Sequence, residues 1–61
     1  MKDINGNEII ERTTLIDDSV RRYTVICKNN KLYAKALYCP DREYELCERT
    51  IKENGFEVIE D

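Results

Sequence analysis

Hydrophobic and polar residues alternate along two stretches in the middle of the chain, Val20–Lys28 and Lys31–Cys39, separated by Asn29-Asn30. Alternation of this kind over Val, Ile, Tyr and Thr is the pattern of a half-buried strand. Asn tolerates positive φ better than most residues that carry a Cβ, so the two asparagines predict a tight reversal. Lys28 then faces Lys31, Cys27 faces Leu32, Val25 faces Ala34 and Tyr23 faces Ala36. Side chains point alternately to the two sides of a sheet, so this register divides the hairpin. Tyr23, Val25, Cys27, Leu32, Ala34, Ala36 and Tyr38 form an apolar face suited to a core. Arg22, Thr24, Ile26, Lys28, Lys31, Tyr33, Lys35 and Leu37 form the other, which mixes cations with large apolar groups.

A helix is predicted next, over residues 40–53. Pro40 suits a first helical position, Asp41 and Glu43 complement the helix dipole, and Asn54-Gly55 supplies a stop. Glu45 with Arg49 and Glu48 with Lys52 are spaced i,i+4. Pro40, Tyr44, Cys47 and Ile51 fall along one stripe, which would lie on the apolar hairpin face; Leu46 falls off it. Towards the N-terminus, residues 8–16 can form a strand, although the pairs Ile9-Ile10 and Leu15-Ile16 leave its inward face ambiguous and allow a bulge. Asn5-Gly6 signals a turn after a short leading strand, Asp17-Asp18-Ser19 a second turn, and residues 56–60 a final strand. The expectation is a single α+β domain over residues 1–61: a small antiparallel β-sheet with one α-helix packed on one face, in the order β-β-β-α-β. A right-handed crossover through the helix would make the last strand parallel in sense to the third.

Composition narrows what such a domain can be. Of the 61 residues, 38% are charged, which leaves few for a core and makes homodimerisation a natural way to enlarge it. No run is long and apolar enough to span a membrane, and MKDINGNEII lacks the apolar region of a signal peptide. With three cysteines, an odd number, this predicts reduced thiols in a cytoplasmic protein.

Charge is segregated along the chain. The formal balance is -3 and the pI about 4.9, yet residues 19–40 hold Arg21, Arg22, Lys28, Lys31 and Lys35 with no acid.

Candidate chemistry is sparse. Cys39 would precede the helix, where the dipole can activate a thiol, but the chain has no histidine to serve it as a base. Cys27 and Cys47 read as small buried groups, and the cysteine spacing does not resemble a zinc site. Gly6 and Gly55 are too far apart for a phosphate loop, and one helix on one sheet seldom encloses a ligand cleft. No catalytic group, metal or cofactor is expected.

The outer hairpin face remains. An ordinary solvated face would carry little besides Thr, Lys, Glu and Arg, whereas this one adds Ile26, Tyr33 and Leu37. Aromatic residues and arginine are enriched where proteins bind one another. The expected role is therefore a small non-enzymatic protein-binding module, an inhibitor or regulator of the type made by bacteriophages and mobile elements against a larger host enzyme or defence system. It would act by occlusion or locking, as a homodimer, through Arg22, Ile26, Tyr33, Lys35 and Leu37. The alternative is a small nucleic-acid-binding regulator with Tyr33 as a stacking platform and Arg22, Lys28, Lys31 and Lys35 on phosphates. Against that alternative stands the low pI.

Overall fold

The computed structural model describes residues 1–59. Five strands and one helix follow one another: β1 (Thr14–Ile16), β2 (Arg22–Lys28), β3 (Lys31–Ala36), β4 (Glu43–Glu45), α1 (Glu48–Asn54) and β5 (Glu57–Ile59). The fold is α+β, an antiparallel sheet in the order β4-β3-β2-β1-β5 with the single helix on one face.

Asn29 and Asn30 take φ of 51° and 64°, the two left-handed residues that a type I′ reversal needs. They set the predicted register, with Tyr23 opposite Ala36, Val25 opposite Ala34 and Cys27 opposite Leu32. Tyr23, Val25, Ala34 and Ala36 are buried together with Ile9, Leu15, Leu46, Ile51 and Phe56. Alanines opposite Tyr23 and Val25 leave room for the aromatic rings that fill this side. Tyr23 is the hub. Its ring meets Phe56 at 5.0 Å and Tyr38 and Tyr44 at 6.0 Å, all edge to face, the arrangement favoured by ring quadrupoles. Cys27, expected in this core, is exposed instead because it lies at the turn end of the hairpin, next to the Lys28–Lys31 pair that closes on Asn29-Asn30.

The segment expected as a helix from residue 40 differs. A turn closes from Cys39 to Arg42 (Arg42 N–H to Cys39 C=O, 2.9 Å), β4 pairs with β3, and α1 begins only at Glu48. Glu43-Tyr44-Glu45-Leu46 alternates polar and apolar, and the sheet uses that period of two. Tyr44 and buried Leu46 point inward while Glu43 and Glu45 point outward. Cys47 leaves the expected buried stripe and becomes the exposed N-cap of α1, in extended backbone. The helix ends as predicted at Gly55, whose φ of 65° is left-handed, with Phe56 N–H donating to Ile51 C=O.

Because β4 intervenes, the connection through α1 runs from one edge of the sheet to the other, about 19 Å across four strand gaps, and carries Ile51 over the core. The last strand consequently lies antiparallel to β1, and its sense is opposite to that of β3, not parallel as the simpler order implied. Residue 60 of the expected last strand lies outside the described residues.

Residues 8–16 form a strand only from Thr14. Arg12 takes φ of 73°, and both its N–H and the Thr13 carbonyl bond to Val25, which makes a bulge. The bulge resolves the two apolar pairs, with Ile9 and Leu15 buried and Ile10 exposed.

Two five-residue loops share one design. In Asp3–Asn7, the Asp3 Oδ1 accepts the amides of Asn5 and Asn7 at 2.8 Å, Gly6 N–H reaches the Asp3 carbonyl, and Gly6 sits at φ 85°. In Asp17–Arg21, the Asp17 Oδ1 accepts the amides of Ser19 and Arg21 at 2.9 Å, Val20 N–H reaches the Asp17 carbonyl, and Val20 sits at φ 62°. Each aspartate then uses Oδ2 to fasten its loop to the body. Asp3 accepts the Val58 amide at 2.8 Å, and Asp17 accepts the Tyr23 hydroxyl at 2.9 Å. With Ile4 N–H on the Phe56 carbonyl, the N-terminal hairpin covers the β5 edge. Among the described residues β4 is left as the open edge, three residues long and flanked by glutamates, features that discourage sheet extension.

Replacing Tyr23 by Phe keeps the ring and strips one buried donor from Asp17. That should cost about 1–3 kcal/mol and lower Tm by roughly 4–8 °C for each kcal/mol in a domain of this size. Thermal unfolding followed by circular dichroism reads the shift. An unchanged Tm would show that the bond contributes nothing.

Candidate functional site

All five residues singled out from the sequence lie on the sheet face opposite α1, in three cross-strand rows. Ile26 stands beside Tyr33, which stands beside Glu45. Lys35 lies between Thr24 and Glu43, and the same row continues through Thr14 to Ile59. Arg22 lies beside Ile16, which faces Glu57, and Leu37 N–H reaches the Arg22 carbonyl at 3.0 Å just past the end of β3. Ile16 and Ile59 were not anticipated here because β1 and β5 had no assigned register. They extend the apolar part of the face, half-buried like Ile26 and Tyr33.

The acid-free character expected of this face does not hold. β4 brings Glu43 and Glu45 onto it, where Lys28 Nζ lies 2.7 Å from Glu43 and Lys31 Nζ lies 3.3 Å from Glu45. Lys28 also sits 5.7 Å from the centre of the Tyr33 ring. Exposed pairs of this kind are worth at most about 1 kcal/mol each, so their effect is on surface potential more than on stability. The alternation of Glu43 and Glu45 around Tyr44 was the available signal.

A second group forms where the loops 17–21 and 37–42 meet. Arg21 places its guanidinium 5.2 Å over the Tyr38 ring with Nη1 3.5 Å from the hydroxyl, and the Tyr38 hydroxyl lies 3.5 Å from that of Tyr23. Burial pushes the Tyr23 phenol far up, with contacts to Tyr38 and Asp17 adding to the effect. Burial alone would also raise Asp17, but the Arg21 amide, the Tyr23 hydroxyl, the Ser19 amide and the Arg21 charge together hold it below its usual value. Asp3 is depressed in the same way: burial opposes ionisation, and the amides of Val58, Asn7 and Asn5 with the Asn7 side chain outweigh it.

A cleft of about 460 Å³ opens between the Met1–Ile4 segment and the α1 residues Glu48, Ile51 and Lys52, so the expectation that this architecture lacks a cleft of ligand size is not met. Three of its polar side chains are already engaged, however: Lys52 lies 3.3 Å from Glu48, and both oxygens of Asp3 accept hydrogen bonds. Asp3-x-Asn5-x-Asn7 has the spacing of a cation loop, yet the Asp3 carboxylate is turned into its own backbone.

Moving the helix start moves the activated thiol. The Cys47 Sγ lies 3.1 Å from the Thr50 hydroxyl, which lowers its pKa first, followed by the first-turn amides of Thr50 and Arg49, although these fall short of cap hydrogen-bond geometry.

No protein-family model, curated protein or solved structure matches this chain. No helix among the described residues is long and apolar enough to cross a membrane.

The depressed carboxyls fix the sign of the acid response. Their stabilisation is complete above the unfolded-state value near 4 and is lost as pH falls through the lower folded values. Tm should therefore decline below about pH 4, and Asp17→Asn should be less stable at neutral pH with a shallower acid decline; equal declines would contradict the assignment. Iodoacetamide near neutral pH should modify Cys47 faster than Cys27 or Cys39, as peptide mass mapping would show. Preferential labelling of Cys39 would contradict the placement of the helix start.

Proposed function

We propose that this chain is a non-enzymatic protein-binding module, an inhibitor or regulator that works in the cytoplasm by occluding or locking a larger protein. The observation that carries this reading is the uncovered sheet face. Among the described residues, the elements that pack on the sheet do so from the α1 side, while Ile16, Ile26, Tyr33 and Ile59 hold an apolar band on the other, bordered by Arg22, Lys35 and Leu37. Sheet faces left open to water normally alternate to polar residues.

The molecule measures 25 × 24 × 24 Å, so one whole face is of the order of the ~800 Å² that each partner contributes to a standard interface. Small cores gain most from such association, and the same face would serve a homodimer. Engagement of Lys28 and Lys31 by Glu43 and Glu45 favours a protein partner over nucleic acid.

The combined variant Ile26→Thr/Tyr33→Ser keeps strand-compatible residues while removing the central apolar surface. It should remain folded by circular dichroism but lose self-association in sedimentation velocity and capture of the host protein retained by the wild-type chain. Retention of both by the folded variant would refute the assignment of this face.

A further inference from the structure

The Asp3–Asn7 and Asp17–Arg21 loops have the same hydrogen bonds and the same left-handed fourth position, but the first places Gly6 there and the second places Val20. A β-branched residue at φ 62° is a steric outlier. It gains little from burial, because Val20 is 73% exposed. Gly, Asn or Asp would fill the position at less cost, as Gly6 does in the twin loop. Strain held at a water-exposed apolar residue points to a contact made outside the chain.

Its surroundings agree. Leu37 and Tyr38 on the neighbouring loop are 55% and 46% exposed. Arg21 lies over the Tyr38 ring. Arg42 is held opposite Ala36, with its guanidinium pKa raised by the Tyr44 hydroxyl first and by Tyr38. Neither guanidinium forms an ion pair with a carboxylate among the described residues. Strand β5 pairs Glu57 with Ile16, near this end, and Ile59 with Thr14, farther from it. Tyrosine and arginine are the residue types enriched at binding hot spots, and here two arginines without carboxylate partners among the described residues stand with Tyr38 beside the exposed apolar area of Val20 and Leu37.

We propose that the end of the sheet formed by Val20, Arg21, Leu37, Tyr38 and Arg42 is a second docking surface, which takes an acidic protein segment bearing apolar side chains. Val20 and Leu37 receive the apolar groups, and the two guanidiniums receive carboxylates in bidentate fashion. The exposed Asp18 and Asp41 at the same end repel a continuous phosphate backbone but allow a segment whose charges are spaced. This surface shares Leu37 with the border of the outer face but includes neither Ile26 nor Tyr33, whose substitution tests that face, so the two tests remain separate.

The test is a nitrogen-15 NMR titration of the full chain with a short peptide of alternating glutamate and leucine, and in parallel with oligothymidylate. The peptide should shift the amides of Val20, Arg21, Leu37, Tyr38 and Arg42. Arg21→Ala/Arg42→Ala should weaken it by at least about fivefold. Val20→Gly should raise Tm, because strain is released, and weaken the peptide by about threefold or more, because the contact is lost. A purely structural Val20 would raise Tm with no change in binding, and that result overturns the proposal. So do shifts confined to Ile26 and Tyr33, an absence of shifts, or tighter binding of the oligonucleotide at this end.

Discussion

Two buried carboxylates hold this fold in place. Asp3 and Asp17 are only 7% and 8% exposed, and neither forms an ion pair among the described residues. Each accepts two amides of its own loop and then bonds across to another part of the chain. A buried charge is costly unless it is fully hydrogen-bonded, and here the donors are mostly backbone N–H groups that the turns leave without partners. The carboxylate and the turn therefore satisfy each other. A chain with 38% charged residues cannot build a large apolar core, and it uses two of those charges as internal acceptors.

Asp17 has the wider reach. Through the Tyr23 hydroxyl it is tied to the ring that meets Phe56, Tyr44 and Tyr38. Through the Asp18 amide on the Asn54 carbonyl, its loop also grips the end of α1, where a Cβ added to Gly55 would come within 3.4 Å of the Asp18 Cβ. The helix is only seven residues long and would not persist alone. It is held at its C-terminal end by this loop and along its length by Ile51 in the core.

The hairpin was legible because two signals agreed: alternation fixed the faces and Asn29-Asn30 fixed the register. The segment after it was not, because residues 40–53 carry two periods at once. Glu45–Arg49 and Glu48–Lys52 favour a helix, and Glu43-Tyr44-Glu45-Leu46 favours a strand. Pairing with β3 decides between them by burying Tyr44 and Leu46 together and setting Glu43 and Glu45 near Lys28 and Lys31. Such long-range pairing is invisible to local propensity. The five residues expected to make contacts do share one face, since that depended only on hairpin register. The missing part was the charge of the face, which depended on β4. Val20 could not have been singled out, because nothing in its neighbours' identity announces a positive φ.

Amide hydrogen exchange at the loop residues Asn5, Asn7, Ser19 and Arg21 tests the central claim most directly. If the two carboxylates lock the turns, these amides exchange as slowly as those of β2 and β3, although they lie in short surface loops. Exchange at the rate of an unprotected peptide, with the strands still protected, would show that the aspartates do not hold the loops and that the fold rests on its apolar core alone.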